Sequence, residues 1–159
     1  MKKKILAVLA AFVIAGTTSV FAKTGIGAQA GYIAGENAPG GALTFKVAKL
    51  PCVFAVDAML GASTSIGVTA DWWIANPKIS GTWGYYYGVG LAGALNVSEN
   101  SGGFGIGARA LIGTNVFLLN NFLEFYAQAA WQPTIWLGDG GVAPHIFCIP
   151  VNIGFRFWF

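Results

Sequence analysis

The chain has 159 residues, room for one domain; 55% of them are hydrophobic and 9% charged, and 23 are glycine. That is too apolar for a typical soluble surface, yet no uninterrupted apolar run reaches the roughly 20 residues of a transmembrane helix, which leaves a membrane protein built from strands. Of nine basic residues three are Lys2, Lys3 and Lys4; the other six are matched by six acidic residues, so the formal charge of +3 offers nothing to nucleic acid.

The lysine cluster, the apolar run from Ile5 to Ala15 and the small residues up to Ala22 have the three-part layout of a secretory signal peptide over 1–22. A single domain, 23–159, follows. Turn residues divide it into eight segments of about ten residues, the length of a membrane-spanning strand. The expected strands are 24–34, 42–49, 52–62, 65–75, 83–95, 104–113, 122–132 and 147–159. The longer connections are 35–41, 96–103, 114–121 and 133–145.

Each segment alternates. In the fourth, Ile66, Val68, Ala70, Trp72 and Ile74 oppose Thr69 and Asp71. In the last, seven large apolar residues from Phe147 to Phe159 oppose Asn152 and Arg156. Successive side chains of a strand point to opposite faces, so every segment has one greasy face. Lys46, Asp57, Asp71, Arg109, Glu124 and Arg156 are the charges inside these segments, and all six fall opposite the greasy face. Indifferent placement gives that outcome roughly once in sixty, so the placement is meaningful. A soluble sandwich would turn its charges outward; in a bilayer a lipid-facing Arg or Lys costs about 2–4 kcal/mol at mid-membrane. The expected fold is therefore all-β: an eight-stranded antiparallel up-and-down transmembrane β-barrel, apolar outside, with the six charges as a balanced lumen network.

Eight strands enclose a space that side chains can fill, so the default interior is a plug of ion pairs. Lys46 with Asp57, and Arg109 with Glu124, lie symmetrically about turns and are the expected cross-strand pairs. An even strand count puts both termini on the periplasmic side, together with Lys23, Lys49 and Lys78. Glu36, Glu99 and Asp139 fall on external loops. Trp72, Trp83, Tyr85 and Phe157 form an inner aromatic girdle, and Tyr32, Phe104, Trp131 and Phe147 an outer one. Cys52 and Cys148 come out at opposite ends of the barrel, too far apart for a disulfide.

The segment Asn152-Ile-Gly154-Phe-Arg-Phe157-Trp-Phe159 resembles the C-terminal assembly signal of bacterial outer-membrane barrels, with a polar residue, a glycine two further on and two alternating aromatics. The resemblance implies recognition of Asn152, Gly154, Phe157 and Phe159 by the barrel assembly machinery, and insertion into outer-membrane lipid. The domain as a whole resembles the small eight-stranded barrels of the OmpA, OmpX and OmpW kind. Gly84-Tyr-Tyr-Tyr-Gly-Val-Gly, Gly105-Ile-Gly-Ala-Arg109-Ala-Leu-Ile-Gly113 and Phe122-Leu-Glu124-Phe-Tyr-Ala-Gln128 are similar to a spirochaetal outer-membrane barrel family. Such families are implicated in envelope integrity, small-solute passage or binding of host proteins.

Catalytic and cofactor chemistry finds little support. Gly88-Val-Gly90-Leu-Ala-Gly93 spells a dinucleotide fingerprint, but no helix follows it, and lumen glycines beside larger neighbours explain it better. The single histidine, His145, shares a loop with Asp139, while Ser98 and Ser101 stand in another loop; a lipid-modifying triad would need all three groups together. One histidine and two distant cysteines have no metal-ligand spacing. The expectation is a monomeric, non-enzymatic barrel without cofactor, in an envelope-structural or surface-interaction role. Segments 35–41, 96–103 and 133–145 are the surface open to a host protein. The competing reading is a narrow passage for small or apolar solutes, favoured by Gly84, Gly88, Gly90, Gly105 and Gly107 in the lumen.

Overall fold

The computed structural model describes residues 23–34, 38–60, 64–98, 101–138 and 141–159. The signal peptide, Glu36, Glu99 and Asp139 lie outside the described residues. Alternation of apolar with small or polar residues builds eight main strands, β1 (Thr24–Ala34), β2 (Ala38–Val47), β3 (Cys52–Leu60), β4 (Thr64–Ala75), β6 (Trp83–Ser98), β7 (Ser101–Leu118), β8 (Leu123–Trp131) and β11 (Ile149–Trp158). Each pairs antiparallel with the next, and β11 closes on β1, so the sheet is an eight-stranded barrel with no open edge in its wall. Thr24 and Phe159 exchange backbone hydrogen bonds of 2.9 Å at what we call the near end.

Three short strands extend the wall. After a bulge near Trp73 and the break at Asn76-Pro77, β5 (Lys78–Ser80) pairs back onto the start of β6. β9 (Thr134–Gly138) resumes the line of β8 beyond Pro133 and pairs with β7, and β10 (Gly141–His145) pairs with β9. The stretch 133–145, expected as the longest loop, is thus a hairpin. Pro133 has no N–H to give the ladder, so it interrupts the pairing, while Thr134, Ile135, Trp136 and Leu137 keep the alternation going.

Other expected boundaries move for similar reasons. Asn96–Ser98 pairs with Ser101–Gly103, with Ser98 opposite Ser101. β7 runs on to Leu118 because Asn115, Val116 and Phe117 maintain its alternation; the turn is confined to Leu119–Phe122, of which Leu119, Asn120 and Asn121 are left-handed at φ 52° to 66°. Asn takes that conformation readily, Leu rarely. β2 starts at Ala38 and includes Pro39; β11 starts at Ile149, leaving Phe147 outside it.

The two faces are inverted relative to a soluble domain. Leu91, Ile112 and Ile153 keep more than 60% of their surface open, whereas Arg156, Glu124 and Tyr86 are wholly buried. An exterior of that kind is stable only against lipid. All eight expected girdle residues are on it, exposed. Lys23, Lys49 and Lys78 are exposed at or beside the near-end strand starts and turns.

Candidate functional site

The lumen is organised by glycines. Gly90 stands opposite Asp71 on one side and Arg109 on the other, and Arg109 Nε donates to Asp71 Oδ1 at 2.8 Å over it. The same arrangement recurs three times. Arg156 Nε reaches Thr44 Oγ1 over Gly27 at 3.2 Å. Tyr126 Oη donates to Gln29 Oε1 over Gly154, and Tyr86 Oη to Gln128 Oε1 over Gly113, both at 3.0 Å. Strands separated by one neighbour are roughly 9–10 Å apart, so two side chains can meet only by lying flat across the strand between. A Cβ on that strand would stand in the way: at Gly154 it would lie 2.6 Å from Tyr126 Oη.

Two charged clusters result. Toward the far end, Arg109 holds Asp71 and also donates to Gln132. Toward the near end, Arg156 Nη1 donates to Glu124 Oε2 at 3.1 Å, and Glu124 also accepts from Asn115 Nδ2 at 2.9 Å and Trp158 Nε1 at 3.1 Å. The Arg156 guanidinium carbon is 3.9 Å from the centre of the Tyr126 ring. Trp73 and Tyr86 stack with ring centres 3.8 Å apart, and Lys46 Nζ lies 4.2 Å from the Trp73 ring centre. Lys46 also reaches the Leu50 carbonyl in the β2–β3 turn at 3.3 Å.

The expected pairs do not form. Lys46 stands opposite Val53 and Asp57 opposite Ala42, because β2 and β3 are joined by a tighter turn than symmetry about 49–51 assumed. Glu124 stands opposite Phe117 and Arg156, with Arg109 far along β7. Asp57 instead packs against Gly67. Several contributors were absent from the sequence reading. Trp73 and Trp158 share the parity of Asp71 and Arg156, which would have revealed them; Asn115 fell within a segment read as turn.

The C-terminal residues are divided between the two faces. Asn152 is buried beside Gly31 and Gly154 underlies Tyr126, while Phe157 and Phe159 lie outside, with ring centres 5.5 and 5.8 Å from that of Phe122. At the far end β6 and β7 have 16 and 18 residues, and β9 and β10 continue the same side; β1 to β4 have 9 to 12. Since about 9–11 residues cross the bilayer, one side of the barrel stands taller. His145 ends β10 opposite Thr134, while Ser98 and Ser101, expected in another loop, pair with each other at the ends of β6 and β7. Cys52 and Cys148 are not joined by a disulfide. Among the described residues no three His, Cys, Asp or Glu side chains gather to hold a metal ion.

No protein-family model matches the chain, and no curated protein matches it. Solved structures do. The N-terminal β-barrel domain of Pseudomonas aeruginosa OprF aligns over 86% of this chain and 97% of its own, with 15% identity and a TM-score of 0.50. A major outer membrane protein from Thermus thermophilus aligns over 87% and 99%, with 12% identity and a TM-score of 0.52. The fold is that of the outer-membrane β-barrels. A barrel of this fold with an apolar exterior and buried charges is an integral outer-membrane protein. The likeness of the C-terminal half to a spirochaetal family gains no support from these neighbours.

Proposed function

We propose that this outer-membrane barrel is plugged, and that it serves an envelope-structural or surface-interaction role as a monomer, without enzymatic activity. The observation behind this reading is the bridging of lumen side chains over Gly27, Gly90, Gly113 and Gly154, which ties each strand to its next-but-one neighbour and lays side chains over the lumen wall. Three more of the glycines that favoured a passage are covered as well: a Cβ at Gly84, Gly105 or Gly107 would meet the side chain of Asn115, Trp136 or Thr134. In a plugged barrel the surfaces left for function are the lipid face and the rims.

The near end, with its lysines, is assigned to the periplasm and the taller side to the exterior. There β10 pairs only with β9 among the described strands and carries exposed Val142, so a host protein would meet an extended sheet edge. Pro144 on that edge guards against indiscriminate strand pairing. The spirochaetal affinity of 84–128 belongs to the same reading.

Planar-bilayer recording with purified protein tests the plug: a silent bilayer is expected, and steady unitary currents would establish the solute-passage reading instead. Deleting 136–143 and measuring adhesion of whole cells to host matrix proteins tests the surface role, which fails if adhesion is unchanged.

A further inference from the structure

The near-end cluster contains more positive charge than its residues neutralise. Lys46 and Arg156 converge on Trp73, with the Arg156 guanidinium carbon 5.9 Å from the ring centre, and Glu124 is the carboxylate among them. Lys46 forms no ion pair among the described residues. Glu124 is already engaged by Arg156, Asn115 and Trp158.

Two donors in the same cluster are also left over. Arg156 Nη2 and Trp73 Nε1 are buried without a hydrogen-bond partner, on side chains that are 0% and 5% exposed. Neighbouring rings do not satisfy them. Tyr126 covers the face of the guanidinium, and Tyr86 and Lys46 occupy the faces of the indole, but the N–H groups point outward in the planes. A buried donor without an acceptor is costly, and more so when it is charged. A neutral acceptor would satisfy the hydrogen bonds and leave the charge; an anion answers both. Lys46 reaches the Leu50 carbonyl in the near-end turn, which puts one wall of the cluster at the mouth.

We propose that the near end of the lumen binds one small monovalent anion of halide size, hydrogen-bonded by Arg156 Nη2 and Trp73 Nε1, with the Lys46 ammonium supplying balancing charge from over the indole face. The site depends on lumen geometry alone, so failure of the adhesion test above leaves it standing. The ion would complete the plug, making the barrel's stability sensitive to which anion surrounds it.

The test uses the refolded full-length barrel in detergent, with sodium bromide titrated against sodium gluconate at constant ionic strength. Wild type should show a saturable rise in unfolding midpoint of roughly 3 °C in bromide, and Trp73→Phe and Lys46→Met should lose it. Equal midpoints in both salts for wild type overturn the proposal. So does a bromide shift of unchanged size in both variants, which would put the ion elsewhere. Should the variants not fold, anomalous diffraction from wild-type crystals in bromide decides. A peak within hydrogen-bond reach of Arg156 Nη2 and Trp73 Nε1 supports the site, and a water in that position refutes it. A bromide peak without a thermal shift marks an adventitious ion only and also refutes it.

Discussion

Arg156 and Glu124 face each other directly on β11 and β8, with 3.1 Å between Nη1 and Oε2 and no solvent contact for either side chain. Burial of both charges makes the pair a liability when halved. Glu124→Gln would leave the guanidinium uncompensated and should cost about 3–5 kcal/mol. Adding Arg156→Met in the same chain should recover most of that loss. Urea titrations of folding into vesicles measure both, and an additive double variant would show that the two residues act separately.

Two buried ion pairs stand in the lumen, Arg109–Asp71 and Arg156–Glu124, and the proposed plug makes each of them a seal. Arg109→Ala or Arg156→Ala alone should therefore stay silent in a planar bilayer, because the other cluster persists. The double alanine variant should give resolvable current steps. Conductance in either single variant would mean that one cluster does all the sealing.

Gly154→Ala separates packing from recognition. Its Cβ would lie 2.6 Å from the Ala28 carbonyl oxygen as well as from Tyr126 Oη, and should cost about 1–3 kcal/mol in synthetic vesicles, where no assembly machinery is present. Gly93→Ala, with nothing nearer than Val68 Cγ2 at 3.8 Å, should stay within about 0.5 kcal/mol of wild type. Phe159→Ala, on the outside, should fold nearly as well in vesicles yet insert several-fold less in cells. Normal insertion in cells would remove Phe159 from the assembly signal.

The position of the bilayer can be read from single charges. Val68 lies at the middle of β4 and Val142 on the far-end hairpin, both exposed. Val68→Arg should cost about 2–4 kcal/mol and Val142→Arg about 0–1. Equal penalties, measured by vesicle folding, would place the β9–β10 hairpin inside the lipid.

Period-two alternation made the barrel legible, since a face that is greasy throughout points one way in lipid. Even Phe147 to Phe159 followed it, although Phe147 lies outside β11. Pairing was not legible from symmetry about turns. Where a turn is tighter than expected, as between β2 and β3, where Lys46 faces Val53 and not Asp57 four residues on, every partner changes. The better signal was the lumen glycine: Gly90 between Asp71 and Arg109 marks which charges can meet, once the register of three strands is known. The β9–β10 hairpin stayed hidden because Pro133 and Pro144 look like loop residues, and only pairing with β7 reveals the strand.

The bonds over Gly27, Gly90, Gly113 and Gly154 each require three neighbouring strands to be in register at once. A hairpin inserted alone can make its backbone ladder but none of these contacts. A one-residue slip of the middle strand turns its glycine toward lipid, and a two-residue slip slides a different residue under the bridge. The lumen contacts therefore check the wall: a bridge rewards correct order only when its third strand arrives.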